Sequence, residues 1–221
     1  MEQIKNKKRS IQFSPETIKR LSLYLRSLKR LRDEGIEVVS SDRITQSLNI
    51  TSVQFRKDLS YFGEFGRRGV GYNVAKLIEE IEEILGTNRK WKIALVGVGR
   101  LGSALLGFPG FRSFNVKISC AFDVDPKKVG KIQNGVKIRD VNKDLKKVIK
   151  KEKIKIAIIC TPPEVAQQIT DSLIDAGVRA ILNFAPINLK VPQNVLVSNV
   201  DVACELESLI FFLKQSLENE N

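Results

Sequence analysis

Gly97, Gly99 and Gly102 stand at the spacing G-x-G-x-x-G, directly behind the apolar run Ile93 to Val96 and ahead of a helical pattern. Each has a separate physical job. Gly97 permits a tight strand-to-helix turn, Gly99 lets backbone approach a pyrophosphate with no side chain in the way, and Gly102 lets helix and strand pack closely. The helix start offers unpaired N–H groups to an anion. Asp123 lies about twenty residues beyond the last glycine, at the end of KISCAFD, where a ribose-binding acid belongs. A carboxylate there favours NAD over NADP, since it would repel a 2′-phosphate, and Lys127 and Lys128 temper that preference. Histidine is absent, which removes the commonest general acid or base and the commonest zinc ligand together. No metal site is expected.

The elements that must position this turn alternate as an α/β domain should. The pattern predicts a strand over 91–97, a helix from about 101, a strand over 117–123, a weak strand at 136–138, a helix over 141–152 and a strand over 154–160. Thr161, Pro162 and Pro163 open a further helix that Gly177 closes, and strands at 180–183 and 195–197 complete a parallel, doubly wound sheet. The expected Rossmann domain spans 87–200. Cys120, Cys160 and Cys204 are odd in number and far apart, and read as buried thiols without a redox role. No apolar run reaches the roughly 18 residues that span a bilayer, and no signal-peptide pattern follows the N-terminus, so a cytoplasmic protein without membrane partners is expected.

The turn sits behind some ninety residues of different character. Residues 1–12 form a basic polar arm, expected to be disordered. Ser14, Pro15 and Glu16 then start a helix through Leu21, Leu25, Leu28 and Leu31 that stops at Gly35. Ser40 or Ser41 begins a short helix with Ile44 and Leu48, and Thr51 caps a third with Val53, Phe55, Leu59 and Phe62. Two short helices on a longer one make a helix-turn-helix pattern. In the third helix Phe55, Leu59 and Phe62 share one face, which sends Gln54, Lys57 and Tyr61 to the other, with Arg56 beside them. The segment EFGRRGVGY reads as a wing whose tip, Arg67 and Arg68, reaches phosphate or a minor groove. Asn73 caps a fourth helix that Gly86 closes, so the DNA-binding module is placed at 13–86.

Charge alone does not assign the DNA-binding segment. Residues 1–72 carry 15 basic and 8 acidic side chains, residues 117–155 carry 13 and 5, and residues 156–221 carry 3 and 8. The lysine-rich stretch 143–153 reads as a solvated helix face. The last helix, in 201–221, is apolar around more than one stripe, through Val202, Leu206, Leu209, Ile210, Phe211, Phe212, Leu213 and Leu217, and needs cover on more than one side. Crossing into a partner subunit satisfies that need.

The segments FRKDLSYFGEFGRRGVGY, RKWKIALVGVGRLGSAL, FDVDPKKVG, LNFAPI and NVDVACEL, in this order, closely resemble the Rex family of redox-sensing transcriptional repressors. The resemblance runs from about Thr17 to Leu213. It implies a homodimer that represses transcription when NADH is scarce, releases double-stranded operator DNA when NADH binds between the Rossmann domains, and swaps its C-terminal helix between subunits. Carried over residue by residue, Arg56, Lys57 and Tyr61 resemble DNA contacts, with Ser52 and Gln54 on the same helix and Arg67 and Arg68 on the wing. Gly97, Val98, Gly99, Arg100, Leu101, Gly102 and Asp123 match the NADH and NAD site, and Thr161, Pro162, Asn183, Phe184, Ala185 and Pro186 match loops near the cofactor. Arg26 and Asp201 match an ion pair of the DNA-competent state. Phe108 stands where a member of the family has a tyrosine that takes over that Asp in the NADH-bound state, and a phenyl ring lacks the hydroxyl. Val202 replaces a phenylalanine beside the nicotinamide.

Two other readings compete with repression. An NAD-dependent oxidoreductase with an accessory helical domain would need a proton donor beside the nicotinamide, and the Tyr72 to Lys76 pair precedes the dinucleotide turn. A CoA- or acyl-nucleotide-binding subunit has the helix-turn-helix and Asp123 against it.

Overall fold

The computed structural model describes residues 13–66 and 69–219, so the arm 1–12 and the wing tip Arg67 and Arg68 lie outside the described residues. The described chain gathers into two compact units that divide between Arg89 and Lys90.

The first unit is built on four helices, each started by a side chain that captures an orphan N–H. Helix α1 (Pro15–Asp33) has Ser14 accepting from the Thr17 amide. Ser40 accepts from Arg43 to start α2 (Ser41–Thr45), Thr51 from Gln54 to start α3 (Ser52–Ser60), and Asn73 from Lys76 to start α4 (Val74–Leu85). Such caps are worth about 1 kcal/mol each. Leu21, Leu25, Leu28 and Leu31 of α1 pack with Ile44, Phe55, Leu59, Leu77, Ile78 and Ile81 in one core. Val53, the remaining apolar residue of α3, is 65% exposed, because Phe55 and Leu59 at i, i+4 already fill the side turned to α1. The strand that ends the glycine-rich loop, β2 (Tyr72–Asn73), pairs antiparallel with β1 (Val38–Val39), a strand the sequence did not reveal. A side chain on Gly71, at φ +94°, would meet the Val39 carbonyl, so glycine lets these strands close up.

The second unit is a seven-stranded sheet in the order β5-β6-β4-β3-β7-β8-β9. Its strands are β3 (Trp91–Val96), β4 (Val116–Asp123), β5 (Ile132–Gln133), β6 (Val136–Asp140), β7 (Ile156–Ile159), β8 (Ala180–Asn183) and β9 (Leu196–Asn199). All neighbours are parallel except the short edge pair β5 and β6, another strand pairing missed in the sequence. Side chains alternate faces with period two: Ala94 and Val96 join the core under α6 (Val141–Glu152) and α7 (Pro163–Ala176), while Ile93 and Leu95 join the one containing Leu106 of α5 (Arg100–Leu106). Strand order reverses beside β3, from which the chain winds outward first through β4 and β6 and then through β7, β8 and β9. In such sheets ligands bind at that reversal, outside the carboxyl ends of the strands. Helix α8 (Val202–Asn219) closes the described chain with no buried residue along its length.

Candidate functional site

A cleft of about 890 Å³ opens at that reversal, lined on one side by Gly97 and Gly99 after β3 and on the other by Cys160, Thr161, Pro162 and Pro163 after β7. Gly97 has φ +92°, and a side chain there would run into the Cys160 carbonyl, so only glycine turns the chain out of β3 at this point. Gly102 sits so close beneath the turn that a Cβ would collide with the Gly97 carbonyl oxygen. At Gly99 the space a side chain would take is open, as a ligand's close approach demands. Gly99 also precedes α5 without any side-chain cap, which leaves first-turn N–H groups unclaimed by the helix.

Asp123, at the end of β4, is 8% exposed and organises the same turn. Its Oδ2 accepts from the Val98 amide at 2.8 Å and from Lys128 Nζ at 3.2 Å, and its Oδ1 accepts from the Asp125 amide at 2.9 Å. Burial works to raise its pKa. The two backbone N–H groups and the Lys128 ammonium outweigh that and hold the carboxyl below its usual range, so it is anionic at neutral pH. A carboxylate accepts about four hydrogen bonds, and three are taken. Oδ1 therefore keeps one lone-pair position for a sugar hydroxyl. Lys128, bound to Asp123 and 3.8 Å from Asp125, is turned toward carboxylates rather than outward to a 2′-phosphate.

Thr161 supplies a second polar handle. Its Oγ1 is buried and has no hydrogen-bond partner among the described residues, although it lies on the cleft. A buried hydroxyl without a partner costs about 1–3 kcal/mol, and a ligand that bonds it would recover that cost. Burial pushes the Cys160 thiol up to about 11, so it is neither a thiolate nor a nucleophile at physiological pH.

The other residues singled out in the sequence are placed unevenly. Pro162 and Pro186 line the cleft, while Val98 is core and gives its amide to Asp123. Arg100 and Leu101 are exposed at the start of α5. Asn183 holds its own turn: the two Nδ2 hydrogens are shared among the carbonyls of Ala185 and Ile187 and Asn199 Oδ1, and its Oδ1 accepts from the Ala185 amide. Ala185 is core, and Phe184 packs half-buried on the opposite face. Sequence reading missed the far wall, where Val141, Asn142, Leu145 and Lys146 of α6 face Val165, Gln168, Ile169 and Ser172 of α7. The signal was there in the i, i+4 spacing of these positions, hidden among the lysines of α6.

In the first unit Arg56 and Lys57 are exposed on α3 and Tyr61 is exposed at its C-cap, and the guanidinium of Arg56 donates to Ser41 Oγ at 2.7 Å, tying α3 to the start of α2. Ser52 is half-buried in the first turn, and Gln54 donates to Asp58 Oδ1 at 2.8 Å. Asp58, unremarked in the sequence, is 0% exposed. Arg26 is exposed on α1, Phe108 is 51% exposed with its ring edge-on to Phe111, and Asp201 caps α8 by accepting from the amides of Ala203 and Cys204. Among the described residues no group of three or more Cys, Asp or Glu side chains could hold a metal ion, and no helix is long and apolar enough to cross a membrane.

Residues 88–187 match the CoA binding domain family, and residues 13–60 match a family described as the putative DNA-binding protein N-terminus. Redox-sensing transcriptional repressor Rex of Roseiflexus sp. (strain RS-1) is 44% identical over 91% of this chain and 91% of its own. The protein of the same name from Desulfitobacterium hafniense is 47% identical over 92% of this chain and 96% of its own. Among solved structures, RSP in complex with beta-NAD+ and operator DNA superposes with a TM-score of 0.88 at 33% identity, covering 95% of this chain and 96% of that one. RSP in complex with beta-NADH gives 0.83 at 32% identity over 94% and 97%.

Proposed function

The chain belongs to the Rex family of redox-sensing transcriptional repressors, and we propose that it binds operator DNA through α3 while reading NADH against NAD+ in the cleft between β3 and β7. The observation that carries this reading is the cleft itself: an anionic Asp123 with one acceptor position left, an open Gly99 and an unpartnered Thr161 hydroxyl, in a chain whose other unit is a helix-turn-helix. These groups fit a dinucleotide. Asp123 would take the ribose, the amides after Gly97 the pyrophosphate, and Thr161 a polar edge of the ligand. The nicotinamide supplies the redox state that is read, and the cofactor is bound without being consumed. The chain is a repressor and not an enzyme. Its place is the cytoplasm, where its DNA and NADH are found.

The homodimer is held by exchange of α8, whose large apolar side chains have no cover among the described residues. Asp201 pairs with Arg26 in the DNA-competent state, using the carboxylate oxygen not engaged in capping α8. Phe108 lacks the hydroxyl for a competing bond to that Asp, so release of DNA rests on breaking the lock rather than on exchanging partners.

The test is a titration of DNA-bound protein, at fixed salt, with NADH, NAD+ and CoA in separate arms, using a duplex that the protein itself selects from a random pool. NADH releases the DNA and NAD+ does not. Release by CoA with indifference to NADH would instead support the CoA-binding description attached to residues 88–187.

A further inference from the structure

The first unit contains a buried polar cluster that none of the preceding assignments uses. Asp58, on α3 and 0% exposed, accepts four hydrogen bonds. Arg20 of α1 gives two, from Nε to Oδ2 at 2.6 Å and from Nη2 to Oδ1 at 2.7 Å, and Tyr24 of α1 gives a third to Oδ2 at 2.8 Å. The fourth comes from Gln54 Nε2 to Oδ1 at 2.8 Å. Four bonds saturate a carboxylate. Three of them join α3 to α1, and a simple strut would need no more.

The Gln54 bond does something else. It runs within α3, from i to i+4, and adds nothing to the join with α1. It does fix which way the amide points, because a carboxylate oxygen accepts and never donates, so Gln54 must turn Nε2 toward Asp58 and Oε1 away. One Nε2 hydrogen is used there, which leaves the second hydrogen and Oε1 for a ligand. Gln54 is half-buried in the first turn of α3, the part of a recognition helix that meets base edges. A glutamine amide presenting one donor and one acceptor matches adenine N7 and the N6 amino group.

We propose that Asp58 is a positioning residue for sequence reading: it locks the Gln54 amide so that α3 discriminates adenine at one position of each operator half-site. This rests on the reading that α3 enters the major groove. A purely structural Asp58 would affect binding to all sequences alike, whereas a positioning Asp58 changes the preference at one base pair.

The experiment compares full-length wild type, Gln54→Ala, Asp58→Asn and Tyr24→Phe on duplexes drawn from wild-type selection, each position substituted in turn. Wild type favours adenine at one half-site position by about tenfold or more. Gln54→Ala and Asp58→Asn flatten that position and keep the others, and Tyr24→Phe, which leaves Oδ1 alone, keeps all of them. Preference unchanged in Gln54→Ala or Asp58→Asn, or lost equally at every position, overturns the proposal. Arg56→Ala and Lys57→Ala on the wild-type duplex separate the two readings: unchanged affinity there refutes α3 as the DNA-binding helix. Should Asp58→Asn fail to fold, the wild-type side-chain amide of Gln54 decides by NMR, one slowly exchanging proton supporting the lock and free exchange of both refuting it.

Discussion

Thr161 carries a cost when the cleft is empty and a gain when it is filled, and that makes its expected behaviour distinctive. Replacing it with valine keeps the shape and removes the partnerless buried hydroxyl, so the free protein should be as stable as wild type or slightly more so. Nucleotide affinity should fall by roughly three- to tenfold, the worth of one net hydrogen bond. Calorimetric titration with NADH alongside thermal melts checks both halves, and a destabilised Thr161→Val with intact affinity would refute the role. Cys160 makes the opposite case. It lies on the same cleft but burial keeps its thiol protonated up to about pH 11, so it offers no thiolate for oxidation. Cys160→Ser should therefore leave release of DNA by NADH unchanged, and a variant blind to NADH would assign the sensing to the sulfur.

Helix α3 is held against α1 by a charge that folding takes out of water, which gives the first unit a particular acid sensitivity. Burial raises the Asp58 pKa, but the bonds from Arg20, Tyr24 and Gln54 outweigh it and hold the carboxyl below its usual range. The unfolded chain then binds the proton more readily than the folded one, so the cluster's contribution is present above about pH 4 and lost as pH falls through the folded value. Arg20→Gln should cost on the order of 3 kcal/mol at pH 7, since it strands a buried carboxylate, and the gap from wild type should narrow below pH 4 in denaturant titrations. A gap that stayed constant down to pH 3 would mean that Arg20 contributes through packing or neutral bonds and not through the Asp58 charge. Asp58 also shows where sequence stops being informative. Caps such as Ser14, Thr51 and Asn73 are legible because their chemistry lies within three residues of the N–H they capture. The partners of Asp58 on α1 are 34 and 38 residues away, so it looks like any charged helix position. Likewise β1 and β2 have two residues each, too few for a period, and Asn183 gives no sign in sequence that its amide is spent on Ala185, Ile187 and Asn199. The turn from Gly97 to Gly102 is legible for the reason that makes it work: at Gly97 and Gly102 the constraints are backbone constraints, and only glycine meets them.

At the scale of the molecule, two ligands acting on separate units must share a two-state element, because a ligand shifts an equilibrium only through different affinities for the two states. Helix α8 and the residue before it are the natural place for that element. Leu209, Ile210, Phe211, Phe212 and Leu213 are all more than half exposed, and burying such side chains is worth about 1.5–3 kcal/mol each. Phe212→Glu should thus lower dimer stability, seen as monomer at micromolar concentration in sedimentation equilibrium, and an unaltered dimer would place the interface elsewhere. Asp201 tests the switch more finely. Alanine there would remove the cap on the Ala203 and Cys204 amides along with the charge, and the two losses would be confounded. Asparagine keeps an oxygen for those amides and discards only the charge, which is the part the proposed pairing with Arg26 would need. If the pair forms solely in the DNA-competent state, Asp201→Asn weakens that state by about 1 kcal/mol, so operator affinity falls by up to about fivefold. Since the same loss leaves the NADH-bound state untouched, NADH should bind Asp201→Asn at least as tightly as wild type, and by linkage no loss on that side can accompany the loss on the other. Equal weakening toward both ligands would mean a damaged fold, and unchanged operator affinity would mean that Arg26 and Asp201 do not hold the repressing state.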